Sequence, residues 1–390
     1  MAQPTPANER NHAMDALRGV AVLGILLVNI NSFGLPLGDA EVPFGLGYAG
    51  PLDAWVFAVV SVFAAGKFMS LFALLFGAGV AMFIDRRSAR GASAAGLHYR
   101  RLATLGGLGV IHGLFIWYGD ILLPYALCGA LLYPLLLIPR RWFVVVVLSA
   151  WSIALCGTSL FGLLIYWVES TSMQGDGGTG VFDNEVELMR SGLAGVMKVR
   201  AVHWLIFLFL FPFLVMPWVL SLMLTGAWAV RSGWMSGKRS SIDYRRLLLV
   251  CLAVGLPIGC LRTALSFVAG RAVATGAWMP LNLIDASALA GAWLACVMLA
   301  CRVDALARAR AVFAAVGRMA LTNYIAQSLI CTALFYGYGL GWFGALSRSE
   351  LLAVALCVCL LQLVWSPVWL ARFERGPLEA VWRRLTYGRG

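Results

Sequence analysis

The sequence predicts an all-α integral membrane protein with about ten transmembrane helices. Three observations carry that expectation. The 390 residues are 61% hydrophobic and 12% charged, against roughly 45–50% apolar and 25% charged in soluble domains, and mean hydropathy is +0.84. The apolar residues gather into ten segments, at 14–36, 58–84, 102–118, 120–138, 142–166, 203–230, 246–268, 278–301, 312–337 and 350–371, each compatible with the roughly 20 residues that cross a bilayer. Basic residues concentrate in alternate connections between these segments, so the net charge of +12 is a topology signal and no nucleic-acid partner is expected.

The basic connections hold Arg86, Arg87, Arg90, Arg100 and Arg101; Arg140 and Arg141; the stretch Arg231 to Arg246; Arg302, Arg308 and Arg310; and the tail from Arg372 to Arg389. Those between them have no basic residue in 37–52, none near Asp120, Arg271 alone and Arg348 alone. The positive-inside rule then puts both termini in the cytoplasm. The chain reads as one polytopic domain over 1–390, with an outer loop at 167–202 and a cytoplasmic amphipathic tail at 372–390.

The first segment, Asp15 to Pro36, is polar for a span. Arg18 and Asn29 lie eleven positions apart, within roughly 20° of three full turns, so they share a helix face about 16 Å apart along the axis. Asp15 is placed to pair with Arg18. Such a stripe faces protein or a wet cavity, because lipid offers it no partner. The second segment is too long for one span, and Gly66-Lys67 marks the expected break. In the third, His112 stands eleven residues beyond Arg101 as Asn29 stands beyond Arg18, so Asn29 and His112 are expected at similar depth. A histidine there is a general base or a side chain satisfied by a neighbouring carbonyl; Gly109 and Gly113 leave room for close approach. Asp120, in the tight turn that follows, either caps the fourth helix or orients His112 or an acceptor.

The outer loop opens with a Gly-rich run, Gly175 to Gly180, and continues with apolar residues at helical spacing, read as an interfacial amphipathic helix over 183–200. Lys67, near the outer boundary, is expected to snorkel. Arg262 and Asp285 sit at equal depth in adjacent spans and read as a structural ion pair. The ninth segment opens GRMALTNYIAQS. Its Arg318, Thr322, Asn323, Gln327 and Ser328 line either a helix–helix seam or a site reached from the cytoplasm, and Arg318 either snorkels or joins Arg18 and Arg101 as a phosphate donor set. In the tail, Gly376-Pro377 opens a short helix whose arginines suit an anionic leaflet. The nine cysteines are scattered, with no CxxC or zinc spacing, and no metal is expected.

Taken together, DALRGVAVLGILLVNINSFGLP, GKFMSLFALLFGAG, GVIHGLFIWYGDILLPYALCG, RSGW, GRMALTNYIAQSLICTALFYGYGLG and GPLEAVWRRLT resemble the YeiB-type family of bacterial multi-pass membrane proteins. That family is similar to the transmembrane acyltransferase superfamily, which includes the lysosomal heparan-α-glucosaminide N-acetyltransferase and bacterial glycan O-acyltransferases. The resemblance implies a bacterial cytoplasmic (inner) membrane protein that takes an acyl group, acetyl foremost, from cytosolic acyl-CoA to a glycan, lipid or amine at the outer face. Arg18 and Asn29 match the superfamily's first-span pattern. Ala40 stands where the lysosomal enzyme has its catalytic histidine, so the base is expected from another helix, with His112 the candidate.

On this reading Arg18, Arg101 and Arg318, with Asn323 and Gln327, hold acyl-CoA. Asn29 positions the thioester or its oxyanion, His112 deprotonates the acceptor, and Asp120 binds or orients it. The expected partners are membrane lipids, acyl-CoA (acetyl-CoA) and an outer-face acceptor, and a homo-oligomer is compatible with the sequence. The competing class is a small-molecule transporter using the same polar path, which the lack of an internal repeat disfavours. A non-catalytic scaffold would leave His112 and Asn29 replaceable.

Overall fold

The computed structural model describes residues 12–40, 42–172, 184–269 and 279–388. The Gly175–Gly180 run, Arg271, Arg389 and the first residue of the expected 183–200 helix lie outside the described residues. Helix is the regular structure of the described residues, with no strand among them. In order they are α1 (His12–Gly34), α2 (Leu37–Ala40), α3 (Pro51–Phe63), α4 (Lys67–Ala89), α5 (Ala95–Ile111), a π-helical turn (His112–Ile116), α6 (Leu122–Leu136), α7 (Arg140–Ser172), α8 (Glu185–Arg190), α9 (Leu193–Leu214), α10 (Met216–Arg231), α11 (Ser241–Val268), α12 (Met279–Ala300), a 3₁₀ turn (Asp304–Leu306), α13 (Ala307–Arg318), α14 (Ala320–Phe335), α15 (Arg348–Arg372) and α16 (Pro377–Tyr387).

The first segment is the hub. α1 packs against α4, α12, α13, α14 and α15, and Leu17, Ala21, Val22 and Leu26 on it are buried. Its closest neighbour is α13, because both helices carry glycine at the crossing. A Cβ on Gly19 would overlap the Phe313 carbonyl, and one on Gly317 the Asp15 carbonyl. α4 and α10 meet in the same way at Gly77 and Gly226. Small residues let helix backbones approach where hydrophobic burial alone gives no preference for one partner. α7, α9, α11 and α15 turn outward large apolar side chains such as Leu160, Phe209, Leu249 and Val364, a surface suited to lipid.

Among the described residues, seven helical stretches are long and apolar enough to cross a membrane: His12–Gly34, Pro51–Ala89, Arg141–Val168, Leu193–Leu214, Ser241–Val268, Met279–Ala300 and Arg348–Arg372. The other three expected segments are cut short. Segment 102–118 leaves α-geometry at His112, 120–138 yields the 15-residue α6, and 312–337 is divided at Met319 between α13 and α14.

Two boundaries are corrected. The expected span 203–230 breaks at Val215, between Pro212 and Pro217, into α9 and α10, because proline removes a backbone donor and crowds the preceding turn. The expected interfacial helix 183–200 divides at Gly192, whose φ of +104 stops α8 before α9 begins. On its apolar face Met189 and Val196 join the core cluster that also holds residues of α1, α14 and α15, while Leu193 is exposed. The break between α3 and α4 falls where expected, with Gly66 at φ +76.

Candidate active site

His112 opens the π-helical turn, and the Trp117 N–H closes it on the His112 carbonyl at 2.8 Å. The wider turn rotates the following residues off the α5 register, and such bulges recur at functional sites. The imidazole is fully buried. Its Nδ1 lies 3.1 Å from Asp120 Oδ1 and its Nε2 lies 2.9 Å from Ser328 Oγ on α14. Asp120 also accepts the Leu122 N–H at 3.1 Å and the Leu123 N–H at 2.8 Å, so it caps α6 and holds the histidine at once. An ionised carboxylate only accepts. With an ionised Asp120, a neutral imidazole in this network would carry its proton on Nδ1 and accept the Ser328 hydroxyl proton at Nε2. Gly109 makes room for this turn, since a Cβ there would overlap Leu123 N and the Asp120 side chain; Gly113 makes room for the Trp204 ring.

On one side of this trio lies a cavity of about 1060 Å³. Its charged end is built from helix termini: Arg18 of α1, Arg86 of α4, Arg101 of α5, Arg318 of α13, Arg372 of α15, and Arg375 and Arg383 from the tail, with Asp15, Glu374 and Glu379 among them. Arg18 bonds Asp15 at 2.8 Å, Arg101 sits over the Phe83 and Trp382 rings, and Arg318 donates to the Glu374 carbonyl at 2.9 Å. The apolar end is walled by Val22, Ile25, Ile121, Leu122, Tyr125 and Tyr324. Tyr324 is the partition. Its hydroxyl donates to the Gly119 carbonyl at 3.2 Å and accepts the Ile121 N–H at 3.3 Å, while its ring centroid stands 5.0 Å from that of His112.

The residues singled out from sequence divide. Arg18, Arg101 and Arg318 line the one cavity, and His112 and Asp120 are bonded to each other. Asn29 is half-buried and takes no part in the hydrogen bonds that hold His112. Asn323 and Gln327 lie outside the cavity lining. Asn323 donates to the Val316 carbonyl and Ser366 and accepts from Trp365, and Gln327 bonds Gln362 and the Val22 carbonyl. Of the two readings of that stripe, its geometry is the helix–helix seam, here joining α1, α14 and α15.

Lys67 corrects another expectation. It is fully buried, bonded to Asp285 Oδ2 at 2.9 Å and the Ser61 carbonyl at 2.8 Å, and does not snorkel. The broken turn between α3 and α4 aims it inward, and Asp285 meets Arg262 at 3.3 Å as well. In the tail, α16 forms the expected short helix from Pro377 and also docks on α5 and α14, where Glu379 accepts the Leu321 and Thr322 N–H groups and the Thr322 hydroxyl. Its residues wall the cavity.

Fold and site define a class: a polytopic helical membrane protein in which an arginine-lined cavity ends beside a buried His–Asp–Ser array. Sequence comparison carries the assignment to a family. The model described as "Protein of unknown function (DUF418)" matches residues 229–389. "Uncharacterized protein YeiB" of Escherichia coli (strain K12) is 36% identical, covering 97% of this chain and 96% of the relative. "Uncharacterized protein YxaH" of Bacillus subtilis (strain 168) is 30% identical, covering 99% and 96%. The chain belongs to the YeiB family.

Proposed function

We propose that the protein is a membrane-embedded acyltransferase that moves an acyl group, acetyl foremost, from cytosolic acyl-CoA to a hydroxyl or amine acceptor at the outer face of the bacterial inner membrane. One observation carries this reading: a cavity with seven arginines at one end and an apolar floor at the other, separated from a hydrogen-bonded His112 by Tyr324. The volume, about 1060 Å³, is at the upper end of ordinary cofactor sites. Arginines recognise phosphates by charge and fork geometry, and an apolar floor suits a pantetheine arm and its acyl end. Ten spans with both termini inside, the count that the arginine distribution favours, would open that charged end to the cytoplasm.

In the reaction the acceptor heteroatom attacks the thioester carbonyl, and its proton passes to His112 Nε2. The tetrahedral intermediate collapses with cleavage of the C–S bond, and the proton goes on to the departing CoA thiolate. Asp120 holds Nδ1–H so that Nε2 stays the basic nitrogen. Only the acyl group changes side, and the nucleotide never crosses.

The test is binding of CoA and acetyl-CoA to the detergent-purified full chain, wild type beside Arg18→Ala and Arg101→Ala. Micromolar binding weakened by about 10- to 100-fold in either variant is expected, each lost charged hydrogen bond being worth about 1.5–3 kcal/mol. Absence of binding to both ligands overturns the reading.

A further inference from the structure

Ser328 was not needed for the reaction just described, yet it is the group nearest the histidine's free nitrogen. We propose that Ser328 is the nucleophile that first receives the acyl group, so that transfer runs through an acyl-serine enzyme. The inference rests on the acyltransferase reading for its donor, and on geometry for the rest.

Nucleophile, base and orienting carboxylate are recognised by mutual placement, whatever their order in the chain. Ser328 Oγ to His112 Nε2 is 2.9 Å and His112 Nδ1 to Asp120 Oδ1 is 3.1 Å, both ordinary hydrogen-bond lengths. A helical serine with a purely structural role is satisfied by the carbonyl one turn back. Here that contact, to Tyr324, is the longer one at 3.3 Å, and the shorter one goes to the imidazole. Asp120 accepts two backbone N–H groups besides its contact with Nδ1, which fixes the ring with Nε2 turned toward Ser328 Oγ.

The position also suits a relay. Tyr324, one turn before Ser328 on α14, lines the arginine-rich cavity. Beyond Ser328 the same helix runs to Phe335 and Tyr336, in the apolar cluster that also holds Trp117 and Tyr118. In that cluster Trp117 Nε1 and the Tyr336 hydroxyl are buried without a protein partner and lie outside the cavity lining, two donors that an oxygen-bearing acceptor could use.

In the first half-reaction Ser328 Oγ attacks the thioester carbonyl and its proton moves to His112 Nε2. The C–S bond breaks, and CoA leaves as the thiol with that proton. In the second, the acceptor hydroxyl or amine attacks the serine ester and gives its proton to His112 Nε2. The Cβ–Oγ bond of Ser328 is untouched; the acyl C–Oγ bond breaks and Ser328 Oγ recovers the proton from His112 Nε2. No oxidant or further co-reactant is required.

The experiment incubates the purified full chain with acetyl-CoA or, separately, p-nitrophenyl acetate, quenches in acid and maps the Ser328 peptide by mass. A one-acetyl increment on Ser328 from both donors is expected, lost in Ser328→Ala and His112→Gln and retained in Ser328→Cys. Acetyl-CoA binding with no adduct from either donor overturns the acyl-serine and leaves direct transfer standing. An adduct from p-nitrophenyl acetate without acetyl-CoA binding keeps the nucleophile and overturns the CoA reading. Neither binding nor adduct overturns both.

Discussion

Asp120 joins two demands in one side chain, capping α6 and holding the Nδ1–H of His112. Asp120→Asn keeps the size and an acceptor for the cap but also presents an NH₂, so the imidazole can turn over or change tautomer. Acetyl-CoA hydrolysis or transfer is expected to fall about 10²- to 10⁴-fold, with the acetyl-CoA Kd unchanged, because Asp120 does not line the cavity. A Kd that rises in step with the lost rate would instead assign Asp120 to donor binding. Lys67 is a stability residue on the same scale. Removing it leaves Asp285 buried beside Arg262 alone, and breaking such a pair costs about 3–5 kcal/mol. Lys67→Ala is expected to lower the thermal midpoint in detergent, and Lys67→Ala with Asp285→Ala to recover part of the loss; a double variant no better than the single would mean that Asp285 is not the stranded group.

At the scale of elements, the seams matter more than single contacts. Gly317→Ala would drive a methyl into the Asp15 carbonyl and separate α1 from α13, the helices that bring Arg18 and Arg318 to the cavity. Loss of folded protein on size exclusion is the expected result, and normal yield with unchanged acetyl-CoA binding would contradict the tightness of that crossing. α8 carries a pH-sensitive contact. Burial pushes Glu185 up to about 7, opposed by a hydrogen bond from the Leu37 backbone and reinforced by the Asp39 charge. The folded state therefore binds the proton more tightly than the unfolded chain. This contribution to stability is full below about pH 4.5 and is lost as pH rises through about 7. Glu185→Gln is expected to flatten the melting temperature between pH 5 and 8; an unchanged profile would show that Glu185 titrates normally.

At the scale of the molecule, much of the organisation was legible in the residues. Glycine at 66 announced a break, and the polar stripe of Asp15 and Arg18 announced a helix that does not face lipid. Equal spacing from two boundary arginines gives only an expectation of comparable depth for Asn29 and His112; depth says nothing about azimuth, and Asn29 joins none of the bonds around His112. Ser328 was visible only as one hydroxyl in a polar stripe, since its meeting with His112 depends on a π-turn that no local pattern specifies. Tail arginines and lipid-facing arginines look alike in sequence, so docking of α16 through Glu379 was not foreseen. The inward orientation inferred from arginine counts can be checked directly. With the nine native cysteines replaced, Arg383→Cys should react with a membrane-impermeant maleimide in inside-out vesicles and not in right-side-out ones; the reverse would invert the topology.

The layer of Ile121, Leu122 and Tyr324 has an electrical meaning as well as a chemical one. A cavity walled by seven arginines, once filled with water and ions, would carry the potential of one compartment to within a side chain of His112. The insulating distance would then be much thinner than the protein, with the membrane voltage concentrated between that layer and the opposite surface. A proton passed from His112 to that opposite surface would cross most of the field, worth about 2.3 kcal/mol per 100 mV, whereas one handed back into the cavity would cross almost none. On the proposed acyltransferase reading, the route by which the proton leaves would decide whether turnover is coupled to the energised state of the membrane.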